Sequence, residues 1–445
     1  MNNKSRSYFL AALAMAILMT ISCGKTTTTT TTDPAIPNIT IYSLMPVHGP
    51  YNTIDTLNGQ GFDKLPVIDS IVLNGKKMTL ISRTDAQIIV DVPRMAGTGP
   101  INIWSGGKMF QSPVFTYDSI LLVTTIAGTS QPGEVNGKGR NALFYYPAGI
   151  AVDHSGNIFV VDNGGSCIRK IDADTNVTTF AGPENLEMAF ADGTGSAARF
   201  SAPVGLCIDQ QGFLYVADQF NYRIRKVSPA GVVTTFAGGG WNGLPQSGGY
   251  DGAASSATFN YPVSVACDHA GNIYVADISN NKIRKITPQG MVSTFAGGDY
   301  YHYGTIDGVG TAALFYVPNE IASDSSGTLY TVDDDNHLLR KITPDGKVTT
   351  LLGPLAEPML TDFSGTFSAG PLATDNHGNL FFAISDGIIK MSPDGTITPY
   401  ATGGIGELDG PAKLATYRSI TGIATDDTGS IYITDNNRIR KIAWQ

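Results

Sequence analysis

Charge is scarce in this sequence. Only 15% of its 445 residues are Asp, Glu, Lys or Arg, and 29 basic side chains face 38 acidic ones. The resulting net charge of −9 makes a nucleic acid or an anionic membrane surface a poor partner, since both demand a basic footprint. Histidine is rare as well, with six residues (48, 154, 269, 302, 337 and 377) that do not recur in a converging pattern. The four cysteines show no CxxC spacing and no neighbouring histidine cluster, so neither a disulfide framework nor a thiolate metal site is expected. Beyond residue 21 no apolar run is long enough to cross a bilayer as a helix. What the chain has in plenty is glycine, 51 residues, with Thr, Tyr and Val in short runs separated by turn residues. That texture predicts an all-β protein.

At the N-terminus, Lys4 and Arg6 precede an apolar stretch at 8–21, followed by small Ser22 and then Cys23. The pattern resembles a bacterial lipoprotein signal, although Thr20 stands where such signals usually carry leucine. The resemblance implies removal of residues 1–22 and acylation of Cys23. The plainer alternative is an ordinary secretory leader that leaves Cys23 as an exposed thiol, which proteins avoid. Gly24 after the cysteine, rather than aspartate, resembles outer-membrane sorting in Gram-negative lipoproteins. An outer-membrane lipoprotein on the surface or periplasmic side, with the membrane as partner through its lipid, is therefore expected. Residues 23–37 hold seven consecutive threonines and then Pro34 and Pro37. Such a segment builds no core and reads as a tether.

Residues 38–117 alternate apolar and polar positions between Gly and Pro turns, which predicts a small antiparallel sandwich with one face of each strand buried. Pro46 with Gly49-Pro50, "LNGQGF" at 57–62, "VLNG" at 72–75, Val92-Pro93 and Phe115-Thr-Tyr117 together resemble an IPT/TIG domain. That resemblance implies an Ig-like spacer or stalk. Trp104 reads as a half-buried strand residue rather than a ligand platform.

From residue 118 onward the chain repeats itself. "VTTIAG" at 123–128 returns as "VTTFAG" at 177–182 and 233–238, "VSTFAG" at 292–297 and "VTTLLG" at 348–353. Each later copy follows an "IRKI"-type segment; the first follows none, and the chain ends on "NRIRKIAWQ" with no such copy after it. Between them, "PVGLCIDQQGFLYVAD" (203–218) and its relatives recur, with a pre-turn aspartate at Asp153, Asp209, Asp268, Asp324, Asp375 and Asp426. Each period holds four strands joined by "DxxG" and "SPAG"-type turns, with glycine where positive φ is wanted. Six periods of four antiparallel strands predict a six-bladed β-propeller. The displaced first copy, 123–128, then serves as the outer strand of the last blade and closes the ring, because an open edge exposes unpaired backbone groups.

"YVADQFNYRIRKV" (215–227), "YVADISNNKIRKI" (274–286), "YTVDDDNHLLRKI" (330–342) and "YITDNNRIRKI" (432–442) resemble NHL repeats, over essentially all of 122–445. Blade five departs: "FFAISDGIIKM" lacks the Asp and the Arg. Asp162, Asp218, Asp277, Asp333 and Asp435 recur in step with Arg169, Arg225, Arg284, Arg340 and Arg440. A residue present in nearly every blade serves the blade itself, so these are read as turn caps and ion pairs rather than a catalytic ring. The "DGxGxxAxF"-type segments at 192–200, 251–259 and 307–315 are read as crossovers docking on the next blade, not as phosphate cradles. Cys207 lies two residues before Asp209 and Cys267 one before Asp268, so equivalent strands point them to opposite faces. Both, with Cys167, are expected to be buried small hydrophobes.

The informative residues are those that do not repeat. The crossover loops "GGGWNGLPQSGGYDG" (238–252) and "GGDYYHYGTIDG" (297–308) belong to adjacent blades. They place Trp241, Tyr250, Tyr300, Tyr301, His302 and Tyr303 on one rim as a candidate ligand platform. Sugar rings stack on such faces, whereas the bland reading makes the same rings loop anchors. The function expected is that of a membrane-anchored extracytoplasmic binding protein whose rim holds a polysaccharide or a cell-surface or periplasmic protein. No catalysis, no cofactor and no metal are expected. The alternative is an enzyme, since the resemblance also covers metal-dependent lyase and lactonase-type propellers, which need convergent ligands at the central channel.

Overall fold

A computed structural model describes residues 39–445 apart from 50–52, 94–95, 184–185, 240–245, 299–300 and 354–369. The signal segment, Cys23, the whole tether, Trp241 and Tyr300 lie outside the described residues. The chain divides into two units, each taken by itself below.

The first is a sandwich of two sheets. One runs in the order Thr40–Met45, Ile54–Gln60, Gln87–Asp91, Thr79–Arg83; the other contains Lys108–Tyr117, Gly99–Ser105, Ser70–Leu73 and Lys76–Lys77. Strand alternation puts Leu57, Ile71, Leu73, Ile88, Val90, Ile101 and Ile103 inside, with Phe62 and Phe115 filling between them. Trp104 faces out, 41% exposed, because it stands one residue from Ile103 on the same strand.

The second unit is a six-bladed propeller. Blade one comprises Pro147–Val152, Ile158–Asp162, Cys167–Ile171 and Asn176–Ala181, from the centre outward, and the others repeat this order. The second strands, such as Leu214–Asp218 and Ile273–Asp277, are buried at every position except Ile384 in blade five. They read as continuous apolar runs because a neighbouring blade covers each face. The turn aspartate does the expected work: Asp209 accepts the amides of Gln211 and Phe213, and Gly212 takes the φ of 81° that a Cβ would resist. Each seam between blades has its own apolar cluster. Ala198 and Phe200 of the first crossover sit in the seam of blades one and two, both fully buried.

One feature exceeds the four-strand expectation. The crossover glycine and its successor form a short fifth strand on the blade's outer edge, as Gly193–Thr194 does against Val232–Val233. Ring closure follows the predicted route. Leu121–Gly128 pairs antiparallel with Arg438–Trp444, and Asp409 clamps it by accepting the amide and hydroxyl of Thr125 and a guanidinium hydrogen of Arg440.

The expectation of unpaired cysteines is corrected here. Cys207 and Cys267 form a disulfide, Cα–Cα 6.1 Å, across the seam of blades two and three. They do stand in opposite orientations on equivalent strands: Cys207 stands across from Tyr215, while Cys267 stands across from Ile273, the place Ile208 holds in blade two. In a ring of stacked blades, however, the forward face of one blade meets the rear face of the next. Opposite faces are thus the faces that touch. Cys167 is the free cysteine among the described residues, and it is buried.

Candidate functional site

The repeated Asp and Arg residues build scaffold. Arg225 is fully buried. Its Nη1 donates to Asp218 at 2.7 Å and to the Arg199 carbonyl, and its Nη2 to Asp192 at 2.6 Å and the Ala191 carbonyl. Arg284, Arg340 and Arg440 repeat the arrangement, and blade one substitutes Asn136 for the crossover aspartate. Burial pushes Asp162 up to about 6 despite the facing Arg169, and moves Asp218, Asp277 and Asp333 the same way. Asp251 ends below the usual range, because the Thr294 amide and the Arg284 charge outweigh its burial. Blade five fills the two inner positions with Ile384 and Ile389, an apolar pair where its neighbours carry charge.

The central channel narrows to a cavity of about 50 Å³ where Gly149, Gly205, Ser264, Glu320 and Gly422 meet from the inner strands. The glycines are required: a Cβ on Gly149 would lie 2.6 Å from the Val204 carbonyl oxygen. Glu320 is the ionisable group of this lining, and it accepts a hydrogen bond from Ser264 Oγ at 3.1 Å. Burial, with the Asp334 charge adding to it, lifts its carboxyl to about 7. Among the described residues no three His, Cys, Asp or Glu side chains group so as to hold a metal.

At the loop face, aromatic rings gather at the mouths of four consecutive blades. The residue preceding each first-strand proline adopts a left-handed backbone: Tyr146 (φ 56°), Ala202 (48°), Tyr261 (56°) and Val317 (59°). Tyr222, closing the short 3₁₀ turn of blade two, has φ 52°. Such conformations are costly for bulky residues and persist only where neighbours over-determine them. Here the scaffold does so. Asp162, Asp277 and Asp333 accept the amides of Tyr145, Asn260 and Tyr316 at 2.6–2.7 Å, while Asn437 and Asn281 accept those of Tyr146 and Val317. The buried carboxylates thereby set the backbone that carries the exposed rings. Tyr145 and Tyr146 lie 4.9 Å apart at 31°, and Tyr303 stacks on Tyr316 at 4.5 Å and 23°. Between them, Phe220 and Tyr222 meet Tyr261 edge to face at 5.8 and 5.4 Å. Tyr146, Phe220 and Tyr303 are about half exposed or more. Among the described residues, these ring contacts run over blades one to four and form a crescent.

Of the residues singled out in the sequence, Tyr303 belongs to this crescent. Tyr301 is 82% exposed on the same loop. Tyr250, 75% exposed, stands where the crossover descends along blade three, its carbonyl accepting from Arg284. His302 lines a recess of about 570 Å³ beside Asp251 and Lys282. Sequence reasoning missed Tyr146, Phe220, Tyr222, Tyr261 and Tyr316. The signal was available, since aromatics directly precede the repeated prolines in "FYYP" and "FNYP", but it lay inside segments read as serving the blade alone.

Residues 144–171 match the NHL repeat, and residues 39–117 match the IPT/TIG domain. NHL repeat-containing protein 2 of Bos taurus is 32% identical over 169 residues, 34% of this chain and 23% of that one. The chain spans well under half the length of the curated relatives it matches. Among solved structures, it is similar to an auxiliary nutrient binding protein from Bacteroides ovatus (17% identity, TM-score 0.44, 92% of this chain and 98% of that one). It is likewise similar to a streptogramin B lyase (16% identity, TM-score 0.46, 73% and 98%). At these scores the likeness carries no argument about ligand or activity. The chain is an NHL-repeat β-propeller preceded by an IPT/TIG domain.

Proposed function

We propose that this protein is an exported binding protein, held to the outer membrane through an acylated Cys23, which presents the loop face of its propeller to a ligand and performs no chemistry on it. The aromatic crescent carries this reading: its rings stand exposed at Tyr146, Phe220 and Tyr303, three of its tyrosines (146, 222 and 261) sit on left-handed backbone, and such rings are costly unless they contact something. The Cys207–Cys267 disulfide supports export, since such bonds persist in oxidising compartments. The enzyme alternative has one feature in its favour, the Glu320 carboxyl lifted toward neutrality in the channel.

Two experiments test the proposal. Detergent-solubilised full-length protein is screened against a glycan array and against surface-protein extracts, alongside a Tyr146→Ala/Tyr303→Ala variant. Loss of binding with the melting temperature unchanged is expected, because exposed rings contribute to a complex rather than to the fold. Binding that persists in the variant but fails in Glu320→Gln would move the site to the channel. Cell fractionation of Cys23→Ala tests the anchor: the protein is expected in the soluble fraction, and unchanged membrane partitioning would count against acylation.

A further inference from the structure

The chemistry of the crescent narrows the class of ligand, an inference that rests on the binding reading above. Its two ends are alike. Tyr303 stacks on Tyr316, and Tyr146 leans on Tyr145 at a tilt of 31°; the outer members are 53% and 61% exposed, respectively. An exposed ring backed by a second ring offers a flat apolar surface. Between the ends, Phe220 and Tyr261 meet at 87°, presenting an edge and a face side by side. Four blade mouths in sequence trace an arc, so an occupant touching both ends must be an extended chain rather than a compact molecule.

Charge then selects among extended chains. The second-to-third loop of blade four carries Asp334 and Asp335, with the Asp334 amide bound to the Val317 carbonyl at the mouth itself. The arginine nearest the middle of the arc, Arg223, is only 3% exposed and lies over Phe190 at 4.0 Å, turned into the protein. A polyanionic chain would meet two carboxylates, with no lysine or arginine on this loop and Arg223 turned away; His337 is the loop's one basic side chain. An uncharged pyranose chain meets what it needs: C–H faces for the rings, and tyrosine hydroxyls and carboxylates for its own hydroxyl groups. We propose that the crescent binds an uncharged hexopyranose polymer laid along the mouths of blades one to four.

The test is titration calorimetry on detergent-solubilised full-length protein with five probes: β-glucan and α-mannan oligosaccharides of two to six units, polygalacturonate, heparin and a polyproline peptide. Binding of at least one neutral series is expected, tightening tenfold or more from two units to six and insensitive to salt. Tyr146→Ala and Tyr303→Ala should each weaken the six-unit ligand about tenfold, whereas Tyr303→Phe should stay within about twofold of the parent, as stacking requires. Binding of polygalacturonate, heparin or polyproline alone, lost in the two alanine variants, would keep the crescent as the site and overturn the neutral glycan. Neutral-chain binding indifferent to both alanine variants, or no binding of any probe, would overturn the inference and, in the first case, the crescent as well.

Discussion

At the residue scale, the buried arginines and their carboxylates make a test that the protein has partly run on itself. Blade five holds Ile384 and Ile389 where other blades hold the Asp and Arg, and its sheet still forms. An apolar pair is thus a workable substitute, whereas half a pair is not, because the remaining charge is stranded without its partner. Arg225→Met is expected to cost about 3–5 kcal/mol in denaturant unfolding, and Asp218→Asn in the same chain should restore part of that loss. A single variant within about 1 kcal/mol of the parent would show that the pair bears no weight. Glu320 gives a pH signature. Its folded value, about 7, lies above its ordinary value of 4.5. Stability is therefore greatest while the carboxyl keeps its proton and falls as pH rises through about 7. Glu320→Gln should flatten that decline and gain roughly 2 kcal/mol at alkaline pH, read from unfolding curves across pH.

At the element scale, strands and turns were legible because their causes are local. Asp-x-x-Gly spells a hairpin wherever it occurs, and Pro147, Pro203, Pro262 and Pro318 each open a first strand. The short fifth strand, present in every blade but the fifth among the described residues, was not legible. Two residues such as Gly193 and Thr194 have no pattern of their own and pair only because an outer edge lies beside them. The seam of blades two and three carries the disulfide as well as an apolar cluster. Joining residues 60 apart, it restricts the unfolded chain by roughly 4 kcal/mol in the loop-entropy account. Cys207→Ser with Cys267→Ser is expected to lose about 2–4 kcal/mol, and the parent under reductant should match that variant. Equal stability of parent and variant would mean that the apolar cluster alone holds this seam.

At the scale of the whole molecule, closure is the feature on which all six blades depend. Leu121, Val123 and Ala127 bury their side chains on the last blade, and Asp409 ties the strand to Arg440. Deleting residues 119–128 should lower the melting temperature of the propeller by roughly 10 °C or more in one cooperative step, measured by calorimetry. A truncation that melts like the parent would refute closure by this strand. The sequence by itself determined the number of blades, their four main strands, the sandwich ahead of them and the strand that closes the ring, for periodicity and turn chemistry are short-range and survive in one dimension. Only the tertiary structure decided which surfaces meet. Cys207 and Cys267 face apart on equivalent strands yet touch, and Phe220 of blade two meets Tyr261 of blade three edge to face. Neither follows from any local pattern, because the face that one blade presents to the next is set by the closure of the ring.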